Sequence, residues 1–265
     1  MSKLLDWLEK INRGGTTGGI GFGMVAPRED VPVMALLGVV SSHDPTEARA
    51  ANKVGLAGAL IESDSQQTGP SKQVLEALGK LPWGVQLKKP SNKSVARLRK
   101  QGCDFFIFET GDTPADVLEE GDAARILTID LSMKPELANT IEDLPVDMVI
   151  LNSPTPDDPL MVTNLMAISL IRNQMNKFCI LRGTRPWSTQ ELQSLRDIGI
   201  DCIALNVSRF EPGEMEQFKV TLDKLSRRKS RPEKSSAIVP SSIGAGLRST
   251  VKREEEEEEG EEEDY

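Results

Sequence analysis

Eight polar residues each stand directly behind a short apolar run: Ser41, Glu62, Lys88, Glu109, Asp130, Asn152, Arg182 and Asn206. The runs are VMALLGVV (33–40), AGALI (57–61), WGVQL (83–87), DFFIF (104–108), RILTI (125–129), DMVIL (147–151), FCIL (178–181) and DCIAL (201–205). Brought to one place, these residue types can do acid–base or covalent chemistry. Lys88 is the candidate nucleophile or proton carrier, provided that apolar surroundings lower its pKa. Glu109 and Asp130 are its candidate acid–base partners, and Arg182 is the candidate clamp for an anion. Glu62, His43, Asn152, Asn206, Ser208 and Arg209 complete the candidate substrate-binding set.

Each assignment has a plainer rival. Lys88 falls between Glu62 and Glu109 in run order, and Arg182 between Asn152 and Asn206, so opposite charges can simply satisfy each other. His43 is the single histidine; it either serves as a general base or merely flanks the helix start at Asp44. Trp187 either lids the site or covers the helix that follows it. Glu62, Glu109 and Asp130 offer oxygen ligands to magnesium or manganese, although no spacing motif supports a metal. Cys103, Cys179 and Cys202 lie in or beside apolar runs, with no CxxC pair, and are assigned no chemistry. Such a sparse, odd set suits a reducing, cytoplasmic compartment.

The elements that must position these residues are legible. The eight runs recur about 23 residues apart, and each is followed by an amphipathic stretch. Near-continuous apolar strands imply burial on both faces, as in parallel sheets. Helix starts are marked chemically: HDPTEA places Asp44 at an N-cap, Pro45 at the first helical position and Glu47 at the capping-box position. Thr113, Pro114 and Asp116 in DTPADVLEE predict another start, and Ser188 with Glu191 a third. Gly55, Gly79, Gly102 and Gly199 suit left-handed helix ends. Asp104, Asp147 and Asp201 each precede a strand-end Glu109, Asn152 or Asn206 by the same interval, so the even strands share one register.

This unit, with strand edges such as GCDFFIFE and GIDCIALN, resembles the aldolase-type (β/α)8, or TIM, barrels over roughly residues 30 to 226. The resemblance implies an α/β fold in which alternate strands fill alternate interior layers and the strand ends meet at one functional mouth. A Rossmann-like sheet is the rival fold. The organisation expected is an N-terminal helix and glycine-rich lead-in (1–32), a barrel (33–226) and a disordered, basic-then-acidic tail (227–265).

The lead-in GGTTGGIGFGMVAPR (14–28) contains Gly21-x-Gly23-x-x-Ala26, a variant dinucleotide fingerprint. A dinucleotide loop must follow a strand and open a helix; here the order is reversed, and VPVMALLGVV reads as the strand. NAD is therefore not expected. Phosphate-binding barrels place glycine-rich turns after strands seven and eight. This chain offers Gly183 among Arg182 and Arg185, and Gly213 late, so flavin is not expected either. The cofactor is otherwise unassigned.

Of the last twelve residues ten are acidic, which accounts for nearly all of the net charge of −9. The tail either solubilises the chain or binds a basic protein partner. No basic face with interleaved aromatics points to nucleic acid, and no apolar run is long enough for a membrane span. Two functions stay open: a lyase- or aldolase-like enzyme acting on a small anionic metabolite, and a non-catalytic binding or scaffold barrel.

Overall fold

Helix α1 (Lys3–Arg13) closes one end of the molecule. Its Leu4, Leu8 and Ile11 lie on one face at helical spacing and are buried against the inward residues of the strands. Ser2 caps it, its Oγ accepting from the Leu5 N–H, and Asp104 then holds the whole helix start. The Asp104 carboxylate accepts from Ser2 Oγ (2.8 Å), Lys3 N (2.7 Å) and Leu4 N (3.0 Å). A carboxylate on these unpaired N–H groups also meets the positive end of the helix dipole. The computed structural model describes residues 2–14, 31–62, 69–118, 121–153, 158–211 and 213–227, within the compact unit Met1–Arg228. The glycine-rich lead-in, with its fingerprint, and the acidic tail lie outside the described residues.

Eight parallel strands close into a barrel in chain order, β1 pairing with β8. They are β1 (Ala35–Ser41), β2 (Gly58–Glu62), β3 (Trp83–Gln86), β4 (Phe105–Glu109), β5 (Ala124–Ile129), β6 (Met148–Asn152), β7 (Phe178–Gly183) and β8 (Cys202–Asn206). Alternation sorts their side chains. Leu37, Leu60, Phe105, Ile126, Met148 and Ile180 fill the interior with α1, while Leu36, Ile61, Phe106, Leu127, Val149 and Leu181 pack outward under the helices. Gly84 faces inward because Phe105 fills its space: a Cβ there would lie 2.3 Å from the Phe105 carbonyl oxygen.

The outer helices are α2 (Pro45–Val54), α3 (Lys72–Leu78), α4 (Asn92–Lys100), α5 (Pro135–Asn139), α6 (Val162–Arg172), α7 (Thr189–Asp197) and α8 (Glu214–Asp223). Asp44 caps α2 as expected, but Glu47 does not complete a capping box. Its carboxylate instead accepts from the Ser41 N–H at 2.7 Å, tying α2 to the end of β1. Ser188 and Glu191 do form the box at α7. The helix expected after β4 is replaced by one 3-10 turn, Ala115–Leu118. Residues 110–123 are the shortest connection in the ring, and Thr113 Oγ1 folds back onto the Glu109 carbonyl (2.6 Å) instead of capping a helix. Among the described residues no helix is long and apolar enough to cross a membrane.

Candidate functional site at the carboxyl ends of the strands

The last residues of β1, β2, β4, β6 and β8 are Ser41, Glu62, Glu109, Asn152 and Asn206. Counting by twos along each strand from the buried interior set puts Glu62, Gln86, Glu109, Thr128, Asn152, Arg182 and Asn206 on the inward face at the mouth. The even-strand register read from the sequence is thus present at this end. At the other end the three aspartates organise the strand starts. Asp147 pairs with Arg125 and Asp201 accepts from Cys179 N (2.8 Å), while Asp104 holds α1.

Arg182 dominates the mouth. It leaves β7 and crosses the barrel axis, donating to the Glu62 carboxylate on β2 and to Gln86 Oε1 on β3 (3.1 Å). The Arg182 side chain is 25% exposed and that of Glu62 37%, so the pair is partly desolvated. On β5, inward by the same alternation, the Thr128 hydroxyl is buried with no hydrogen-bond partner among the described residues. Gln86 and Thr128 are absent from the sequence-derived set. Strand alternation along WGVQL offers Gln86 as an inward residue, a signal present in the sequence.

The other predicted residues separate from this centre. Lys88 and Glu109 are both exposed, and Lys88 stands beyond the end of β3. Lys88 therefore lacks the apolar surroundings that make a lysine nucleophilic, and it pairs with neither Glu62 nor Glu109. Asp130 sits in the turn after β5, accepting from Ser132 N at 2.7 Å. The Ser132 hydroxyl and N–H hold its carboxyl below the usual range, which suits a permanent anion better than a proton donor. The carboxylates of Glu62, Glu109 and Asp130 are not gathered: among the described residues no group of three His, Cys, Asp or Glu is placed to hold a metal.

Asn206 and Ser208 serve each other. Asn206 Oδ1 accepts from Ser208 N (3.0 Å) and Oγ (2.8 Å), capping the 3-10 turn Val207–Arg209. Arg209, His43 and Asn152 are exposed, with His43 directly before the Asp44 cap. Trp187 is a cover, not a lid. It is buried, and its ring lies on Gly183, where a Cβ would come within 2.3 Å of it. Gly183 thus lets the Trp187 ring approach the backbone.

Arg185 is committed too, binding Glu191 at 2.5 Å and the Asp158 carbonyl at 3.0 Å. Burial alone would raise the Glu191 pKa. Hydrogen bonds from Arg185, Leu160 N and Ser188 outweigh it and bring the carboxyl down to about 2. All three cysteines are free and buried, with burial pushing the thiols of Cys103 and Cys179 up to about 12. A cavity of about 900 Å³ lies away from this mouth, at the α1 end, lined by Trp7, Val31, Met34, Leu56, Leu222 and Arg227 among others.

Tryptophan synthase from M. tuberculosis, in its open form, is similar to this chain with a TM-score of 0.58. The identity is 13%, covering 84% of this chain and 97% of that one. The chain is a (β/α)8 TIM barrel. A second crystal form of the M. tuberculosis enzyme gives the same TM-score at 13% identity, covering 84% and 96%. A mutant tryptophan synthase alpha-subunit from Pyrococcus furiosus gives 0.50 at 10% identity, covering 72% and 95%. At these identities the likeness is one of fold. No protein-family model and no curated protein matches the sequence.

Proposed function

We propose that this barrel takes a small anionic metabolite at its carboxyl-terminal mouth, with Arg182 as the anion clamp. The observation that carries the reading is the guanidinium held across the axis by Glu62 and Gln86 at the inward face of the mouth. A positioned, partly desolvated guanidinium suits a carboxylate or phosphate oxygen pair. An incoming anion competes with Glu62 for the guanidinium. The displaced carboxylate is then free to take a proton from a carbon of the ligand, the C–H electron pair forming a double bond as a leaving group departs from the adjacent carbon, a chemistry of the lyase type in the cytoplasm. Glu62 takes the proton-handling part that the sequence gives to Glu109 and Asp130, while Lys88 attracts the anion from the rim.

A second reading rests on the same contacts. Because Glu62 and Gln86 already satisfy Arg182, the triad serves equally as a strut in a non-catalytic barrel, whose acidic tail meets a basic partner. Melting curves of the full chain separate the two readings. The panel holds sugar phosphates, keto acids, flavin mononucleotide and divalent metals, each tested on wild type and Arg182→Met. A ligand at a hundred times its Kd adds roughly 2.7 kcal/mol and raises Tm by about 5–10 °C. The clamp predicts a hit among the phosphates or keto acids that Arg182→Met abolishes. Silence across the panel, with Arg182→Met strongly destabilised, means a strut.

A further inference from the structure

Helix α6 breaks the pattern of the outer ring. It is the one α-helix among the described residues whose exposed positions carry no charge. Its single ionisable residue, Arg172, is turned away, donating to the carbonyls of Gly199 (2.7 Å) and Met175 (2.6 Å). The inner face is conventional, with Ile168 and Ile171 buried against the barrel. The outer face is apolar as well: Val162 is 72% exposed, Met166 65% and Leu170 51%, in one stripe at intervals of four. Met161 at the helix start and Leu137 on neighbouring α5 extend it, 59% and 57% exposed. Single exposed apolar residues need no explanation, but a contiguous uncharged patch does.

We infer that this face is the contact surface of a two-fold dimer of the chain. The stripe is complementary to itself. With two copies of α6 antiparallel about an axis at Met166, the two Met166 side chains meet and Val162 of each copy faces Leu170 of the other. Charge does not oppose this occupant, since the exposed positions of α6 carry none and two copies meet there without facing like charges. Area agrees. Five side chains each exposing on the order of 100 Å² give about 500 Å² per copy and about 1,000 Å² for a pair, the lower bound for a specific interface. The dimer is therefore concentration-dependent.

Sedimentation velocity on the full chain, from about 1 to about 100 μM, reads this directly. Wild type is expected to pass from monomer to dimer across the range. Met166→Glu and Leu170→Glu, both at exposed helical positions, should keep the wild-type circular dichroism and weaken association at least tenfold. A wild type that stays monomeric throughout overturns the inference and leaves the patch to a different partner. A dimer that survives both substitutions overturns it as well. A Met166→Cys chain under mild oxidation should cross-link to its copy, since the native thiols are buried. A dimer that fails to cross-link refutes the placement of the axis.

Discussion

Arg182 shows what a single residue's surroundings decide. By strand order it falls between two asparagines, yet its guanidinium reaches Glu62, 120 positions away, because a closed barrel brings β7 opposite β2 and β3. The type of this residue and its place behind an apolar run were legible in the sequence. Its partner was not, since that depends on barrel diameter and side-chain length. Lys88 stands apart from the Arg182 centre for a related reason. The short β3 ends at Gln86, so the lysine is lifted past the mouth into solvent. Accordingly, Lys88→Met should change stability by less than about 0.5 kcal/mol in chemical denaturation. Gly183→Ala should behave quite differently. Its methyl collides with the Trp187 ring, a cost of about 2 kcal/mol seen as a Tm lower by roughly 4–8 °C. Combining it with Trp187→Leu should recover part of that loss, and a Gly183→Ala chain that melts like wild type would disprove the contact.

At the level of elements, two carboxylates do work that propensity alone does not reveal. Asp104 was read as a register marker on an even strand, and it is also the acceptor for three donors at the start of α1. Asp104→Ala should cost about 2–3 kcal/mol and loosen α1 first, visible as faster amide exchange at Leu4 and Leu5. Glu191 joins the α7 cap to Arg185 and to the chain before α6. Its folded pKa of about 2 lies below the ordinary 4.5, so its stabilisation is fully present above about 4.5 and is lost as pH falls toward 2. Glu191→Gln should flatten the fall of Tm across that window; an unchanged acid profile would contradict the pairing. Strand positions were readable within one or two residues because apolar runs ending in polar residues map directly onto buried strands. The turn after β4 was not readable, because Thr113 and Pro114 look like a cap whether or not the connection has room for a helix.

For the whole molecule, the repeat of apolar run and amphipathic stretch was enough to specify a closed eight-stranded barrel. Each unit cannot bury both strand faces without its neighbours. Function is less legible, because it rests on contacts between strand ends that only closure creates. The central claim is that Arg182 is poised for an anion, and calorimetric titration with inorganic phosphate tests it most directly. Wild type, Arg182→Met and Lys88→Met chains are titrated at one ionic strength. The account predicts measurable binding that Arg182→Met weakens at least tenfold, about 1.4 kcal/mol, and that Lys88→Met changes far less. Equal affinity in all three chains, or no binding to folded wild type, would contradict it and leave the Arg182–Glu62–Gln86 triad as a strut.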